Sequence, residues 1–158
     1  MLYAILVCAA CAPVSKLPPL PTGEIEAERR KQQTSQLRHY LGQISRLDNV
    51  AFQLRVANSD DCKDRAWAQI GLIAGTVPSL PRKFRSFSHE ALSVDWTHAT
   101  VLAVADNSPA AVAGIERGDQ LLTFNNEPVS RHGTAEWIGG HVRNNGQRPI
   151  EVLIRRNG

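Results

Sequence analysis

Most of the motifs that would mark an enzyme are missing from this 158-residue chain. It has no Gly-x-Ser-x-Gly elbow, so the strained strand-to-helix turn that lifts a serine into reach is not encoded. It has no glycine-rich loop that could cradle phosphates. Its cysteines, Cys8, Cys11 and Cys62, form no repeated Cys-x-x-Cys pair, and a four-thiolate zinc centre is excluded. His89-Glu90-Ala91-Leu92-Ser93 begins like the zinc motif His-Glu-x-x-His, yet Ser93 stands where the second imidazole is needed. His98 comes at the wrong spacing, and His39, His132 and His141 are isolated. A lone His and Glu do not hold zinc, so neither a catalytic residue, a metal site nor a cofactor is expected. Strong charge is absent too: 18 Lys and Arg against 15 Asp and Glu give a net charge of +3. The basic patch Pro81-Arg82-Lys83-Phe84-Arg85 reads as a solvated loop with at most weak attraction to an anionic membrane surface. No RNA-binding signature accompanies it, and nucleic acid is not an expected partner. A membrane-spanning run is likewise missing, because the apolar stretch Met1–Ala10 is too short to cross a bilayer.

That short stretch has the length of a signal-peptide core and leads into Cys8-Ala9-Ala10-Cys11. Small residues just before a cysteine resemble a bacterial lipobox, which implies that residues 1–11 are a targeting segment and that Cys11 is acylated. Cys8 departs from the usual leucine, and no Lys or Arg precedes the run. Cleaved soluble export and a cytoplasmic chain with an apolar start are the alternatives. On the lipoprotein reading Cys62 is left as a lone thiol, expected to be a small buried hydrophobe or else one half of an intermolecular disulfide. Residues 12–23 hold Pro13, Pro18, Pro19 and Pro21 and read as a semi-stiff tether. Residues 24–61 read as one long amphipathic helix, with Glu24, Glu26 and Glu28 at its start. Its apolar stripe is traced through Leu37, Leu41, Ile44, Leu47, Ala51 and Leu54. That stripe must bury against the following domain, a missing domain or a second copy, so a homodimer through the helix is one option.

Residues 65–158 change to short apolar runs separated by turn signals. Ala68–Ala74 runs around Gly71; Phe84, Phe87, Leu92, Val94 and Trp96 mark an irregular region; Ala99–Ala105 reads as a buried strand. In 104–129, Ser108 is placed to cap a one-turn helix, Pro109 fits its first position, and Gly114 supplies the left-handed stop. Arg117-Gly118-Asp119 then reverses the chain into Leu121, Leu122 and Phe124, and Asn125-Asn126 turns it again. A helix is expected over Thr134–Asn144 and a last strand over Pro149–Arg155. Gly139-Gly140 inside that helix is read as close helix–sheet packing, with room for an incoming peptide as the alternative. The terminal Asn157-Gly158, a hairpin dipeptide that leads nowhere, suggests a fragment, a truncated gene product or a fraying end.

The ordered stretch Val104-Ala-Asp-Asn-Ser-Pro-Ala-Ala-Val-Ala-Gly-Ile-Glu-Arg-Gly-Asp-Gln-Leu-Leu-Thr-Phe-Asn-Asn-Glu-Pro-Val129 resembles the core of a PDZ domain of the bacterial, HtrA-like kind, with Asn126 where the family usually has Gly. The resemblance implies an α+β fold: a small PDZ-like β-barrel or sandwich with two helices, here preceded by the long helix. It implies a non-catalytic module that binds a polypeptide C-terminus or partner protein by strand addition between a sheet edge and a helix. In this sequence the carboxylate-binding loop of the family would be Ile70-Gly71-Leu72, followed by Ile73 and Ala74 as the pairing edge. The facing helix would present Ala135, Ile138 and Val142, with Trp137 and His141 beside them. On this reading Gly71→Val removes peptide binding and leaves the domain folded. The layout of lipobox, tether, long helix and PDZ unit also resembles, over residues 30–158, the N-terminal half of zinc metallopeptidases of the CAAX prenyl protease family. Their His-Glu-x-x-His domain is absent here. The rival expectations are therefore an envelope-anchored binding lipoprotein, the substrate-recognition region of such a protease, and a structural adaptor that dimerises through its helix.

Overall fold

A computed structural model describes residues 21–62, 68–92 and 98–156. The first element, α1, runs over Thr22–Ala57 and ends where Asn58 caps it, its side-chain amide donating to the Leu54 carbonyl at 2.7 Å. A one-turn helix, α2 (Ser59–Cys62), follows. β1 (Leu72–Gly75) leads into 3-10 turns over Val77–Ser79 and Arg82–Phe87 and a short helix, α3 (Ser88–Leu92). The remainder is β2 (Ala99–Val104), α4 (Pro109–Val112), β3 (Gln120–Phe124), β4 (Glu127–Pro128), α5 (Thr134–Asn145) and β5 (Val152–Arg155).

The five strands form one antiparallel sheet in the order β1-β2-β3-β4, with β5 paired to β3. Among the described residues β1 therefore has a single partner, β2, and is an edge. Local chemistry accounts for the turns between these strands. Ser108 Oγ accepts from the Ala111 amide at 3.2 Å and caps α4, Pro109 opens it, and Gly114 closes it at φ 75°. Asn125 and Asn126 sit at φ 47° and 66°, the two positive values a two-residue hairpin turn requires, so the missing glycine is replaced without loss of the turn. Asp119 is buried and ties the ends together. Its carboxylate accepts from the Glu116 amide at 2.8 Å and from Arg156 Nε and Nη2, both at 2.7 Å. This bidentate pair holds the Asp119 carboxyl below the ordinary carboxylate range.

Two apolar layers flank the sheet. On one face Ala99, Val101, Leu121 and Phe124 pack with Ile138 and Val142 of α5. On the other, Leu37 and Leu41 of α1 pack with Leu80, Phe84, Phe87 and Leu102. β1 divides its side chains accordingly, Leu72 and Ala74 toward α5 and Ile73 toward α1. Because both faces of β2 are covered, its sequence is apolar at every position but Thr100 rather than alternating.

Three expectations are corrected here. The buried stripe of α1 is Leu37, Leu41, Asp48 and Phe52, with Ile44 partly buried, whereas Leu47 is 71% and Leu54 59% exposed. A stripe stepping through Leu47 and Leu54 advances more slowly than the ~3.6-residue turn and rotates off the packed face. The basic patch is solvated only in part: Arg82 and Lys83 are exposed, but Phe84 is buried against Tyr40 and Phe87, and Arg85 donates to the Leu80 and Pro78 carbonyls at 2.9 and 2.6 Å. Cys62 is exposed at the end of α2 instead of buried. The lipobox and Cys11, the tether up to Leu20, and Val94 and Trp96 lie outside the described residues.

Candidate peptide-binding groove

The segment before β1 is stitched to the β2–α4 turn. The Ile70 carbonyl accepts from the Ala110 amide at 3.0 Å, and the Gly71 carbonyl accepts from the Ala105 amide at 2.9 Å and from Ser108 Oγ at 3.2 Å. Gly71 is buried at φ 69°, a backbone shape that side chains oppose. A Cβ there would run into the Ser108 side chain and come within 3.1 Å of the Phe52 ring. Glycine is thus fixed by packing as well as by backbone shape, and Gly71→Val would disturb the fold rather than leave it intact.

From this loop β1 runs opposite α5, and the two enclose a cleft of about 180 Å³. Ile70, Gly71, Leu72 and Ile73 line one wall, and Ala135, Ile138 and Val142 the other. All seven residues read from the sequence as site residues meet in this one space. The helical three come together because residues three and four apart share a helix face. Trp137 and His141 take the adjacent face of α5, away from the lining. There the His141 ring stacks on Trp137 at 3.6 Å, and its nitrogens lie 2.9 Å from the Trp137 carbonyl and 2.9 Å from Glu127 Oε2. Two acceptors facing one imidazole favour the doubly protonated ring, and the hydrogen bond to Glu127 raises the His141 pKa.

Gly139 also lines the cleft, and a Cβ at Gly139 or Gly140 would meet nothing within 4 Å. Close helix–sheet packing therefore does not explain this pair. At Gly139 the small residue keeps the groove wide. Thr76 Oγ1 donates to the Arg131 carbonyl at 3.3 Å and links the exit of β1 to the approach of α5. A second, mainly apolar cavity of about 310 Å³ shares Ile70 and Leu72 with the first and continues toward Phe124, Ile150 and Val152.

Two charged lining residues escaped the sequence, Asp48 and Arg55, both from α1, as did Ala68 and Gln69 ahead of the loop. Arg55 Nη1 donates to Gln69 Oε1 at 3.3 Å, two residues before Gly71. Asp48 is buried, and its Oδ2 has no hydrogen-bond partner among the described residues. Desolvation pushes its pKa above the ordinary carboxylate value, with Arg55 pulling partly the other way. The retrievable signal was the spacing of Asp48, Phe52 and Arg55 behind Leu37 and Leu41 at helical period.

His89 and Glu90 lie on exposed faces of α3, Glu90 facing Arg30 at 3.7 Å. Among the described residues no group of three or more His, Cys, Asp or Glu is placed to hold a metal ion, and no helix is long and apolar enough to cross a membrane.

No curated protein and no solved structure matches this chain. Residues 100–156 match the family model of the PDZ domain, a span that takes in β2 through β5 and leaves β1 and the Gly71 loop ahead of it. Together with an α+β fold built on an antiparallel five-stranded sheet behind a long helix, that match supports a PDZ domain over residues 100–156.

Proposed function

We propose that this chain captures the free C-terminus of another polypeptide by adding it as a strand to β1, without catalysing a reaction on it. The observation that carries this reading is the juxtaposition of a sheet edge unpaired among the described residues, Leu72–Gly75, with the apolar face of α5 across a cleft of about 180 Å³. Main-chain pairing along such an edge supplies affinity, and the alternate side chains enter pockets that supply selectivity. The edge is only four residues long, so it pairs with about the last three or four residues of a chain at ~3.4 Å per residue. The test is a chemical-shift titration with heptapeptides whose last four positions are randomised and whose C-termini are free. Shifts concentrated at Leu72–Gly75 and along the Ala135–Val142 face support the reading. Absence of binding, or shifts confined to other surfaces, refutes it.

The lipobox-like Cys8-Ala9-Ala10-Cys11 supports a membrane-anchored, envelope-facing lipoprotein carrying this module. Loss of membrane association in Cys11→Ser, with loss of a lipid-sized mass increment, tests that part separately. A second reading, self-association through α1, is favoured by one observation. Leu47, Val50 and Leu54 stay exposed at alternating three- and four-residue spacing, the pattern of a coiled-coil seam. Sedimentation of Leu47→Glu/Leu54→Glu against the wild type decides it: equal molecular weights remove the reading.

A further inference from the structure

Resting on the strand-addition reading above, we propose that α1 forms a third wall of the peptide site and that Arg55 supplies the cation that meets the terminal carboxylate of the incoming chain. Asp48 and Arg55 are the charged residues among those lining the cleft, and Arg55 is tied to Gln69, two residues before Gly71. Loop amides around a glycine can converge on an anion, but they carry only partial charge. An adjacent guanidinium adds a charge-assisted hydrogen bond to a carboxylate, roughly twice as strong as a neutral one. Arg55 is exposed, and its hydrogen bond to Gln69 is long at 3.3 Å and itself solvent-exposed, so a ligand carboxylate can replace it.

The helix that carries Arg55 is fixed to the domain. Asn49 makes a two-point contact with the β2–α4 turn, donating to Asp106 Oδ2 at 2.5 Å and accepting from the Asp106 amide at 2.8 Å. Phe52 is buried against Gly71, and Leu37 and Leu41 are buried further up the same face. Arg55 is therefore presented at the loop by a rigid element. Asp48, two turns earlier, holds a carboxylate oxygen beside the same space with no hydrogen-bond partner among the described residues. In its ionised form it opposes an anionic terminus and partly offsets Arg55, so the pair sets how strongly the site prefers a free carboxylate.

The experiment uses the full chain and the tightest peptide from the randomised heptapeptide library, synthesised as free acid and as C-terminal carboxamide, with fluorescence anisotropy as readout. Arg55→Gln is expected to weaken the acid about tenfold while leaving the carboxamide within about twofold, and Arg55→Lys to retain most of the acid affinity. Asp48→Asn is expected to tighten the acid about threefold and not the carboxamide. An Arg55→Gln protein that keeps the wild-type preference for acid over amide overturns the inference and leaves the groove reading standing. Equal losses for both peptide forms assign Arg55 a structural role and also overturn it. Failure of the wild type to bind any free-acid peptide overturns the groove reading itself.

Discussion

Replacing Gly139 and Gly140 with alanine should make the protein more stable. Both occupy the interior of α5, and a methyl group at either position meets no heavy atom within 4 Å. There is then no steric cost to set against the propensity gain, about 0.8–1 kcal/mol per glycine in a helix interior. The double substitution is worth about 2 kcal/mol, which for a chain of this size raises Tm by about 4–8 °C. Thermal unfolding followed by circular dichroism measures it. A fall in Tm would mean that α5 is held by a backbone contact the structure does not contain, and would refute the reasoning. The two positions separate when the side chain is large, because Gly139 lines the cleft and Gly140 does not. Gly139→Leu should remain folded yet lose peptide binding, whereas Gly140→Leu should remain folded and bind. Loss of binding in both would show that α5 moves as a whole.

Three further expectations concern groups outside the helix interior. Asp119→Ala removes the bidentate partner of Arg156 and the acceptor for the Glu116 amide, and should cost about 1–3 kcal/mol in urea unfolding, the range being moderated because Arg156 is half-exposed. Since the folded Asp119 pKa lies below its unfolded value, this contribution is fully present above about pH 4 and fades as pH falls through the folded pKa; wild type and Asp119→Ala should therefore converge in acid. His141 carries the opposite sign. Its folded pKa is raised, so its link to Glu127 stabilises fully below about pH 6.5 and is lost as pH rises through the folded value. The Tm difference between wild type and His141→Gln should shrink from pH 6 to pH 8.5, and a difference that grows would refute the assignment. Gly71→Ala should destabilise by at least about 2 kcal/mol, through the left-handed backbone and the collision with Ser108, and near-neutral urea unfolding would show that the loop can relax.

What could be read from the sequence was local. Ser108, Pro109, Gly114 and the Asn125–Asn126 turn each satisfy a backbone requirement within a few residues, so the pattern names the structure directly. The face of α5 was legible for the same reason, since Ala135, Ile138 and Val142 repeat at helical spacing. What escaped was set by partners distant in sequence. Phe84 reads as part of a charged patch until Tyr40 and Leu37 are brought over it, and a buried Asp48 cannot be told from a solvent-facing one without the loop it packs beside. Gly139 was ambiguous because only the emptiness around it separates close packing from an open groove.

The same long-range contacts make α1 part of the binding domain rather than a spacer in front of it. Leu37, Leu41 and Phe52 are each buried by the domain, at about 1.5–3 kcal/mol apiece, against a typical net stability of about 5–15 kcal/mol. Removing the helix would uncover Leu102, Ile73 and Phe84 on the second face of the sheet and withdraw the ring that backs Gly71. A truncated chain that bound peptide poorly would then report a damaged loop as readily as a missing Arg55. It follows that the roles of α1 in ligand capture and in self-association have to be separated by single side chains on its two faces. Arg55 and Asp48 face the cleft, Leu47 and Leu54 face solvent, and neither pair contributes to the layer formed by Leu37 and Leu41 that holds the helix in place.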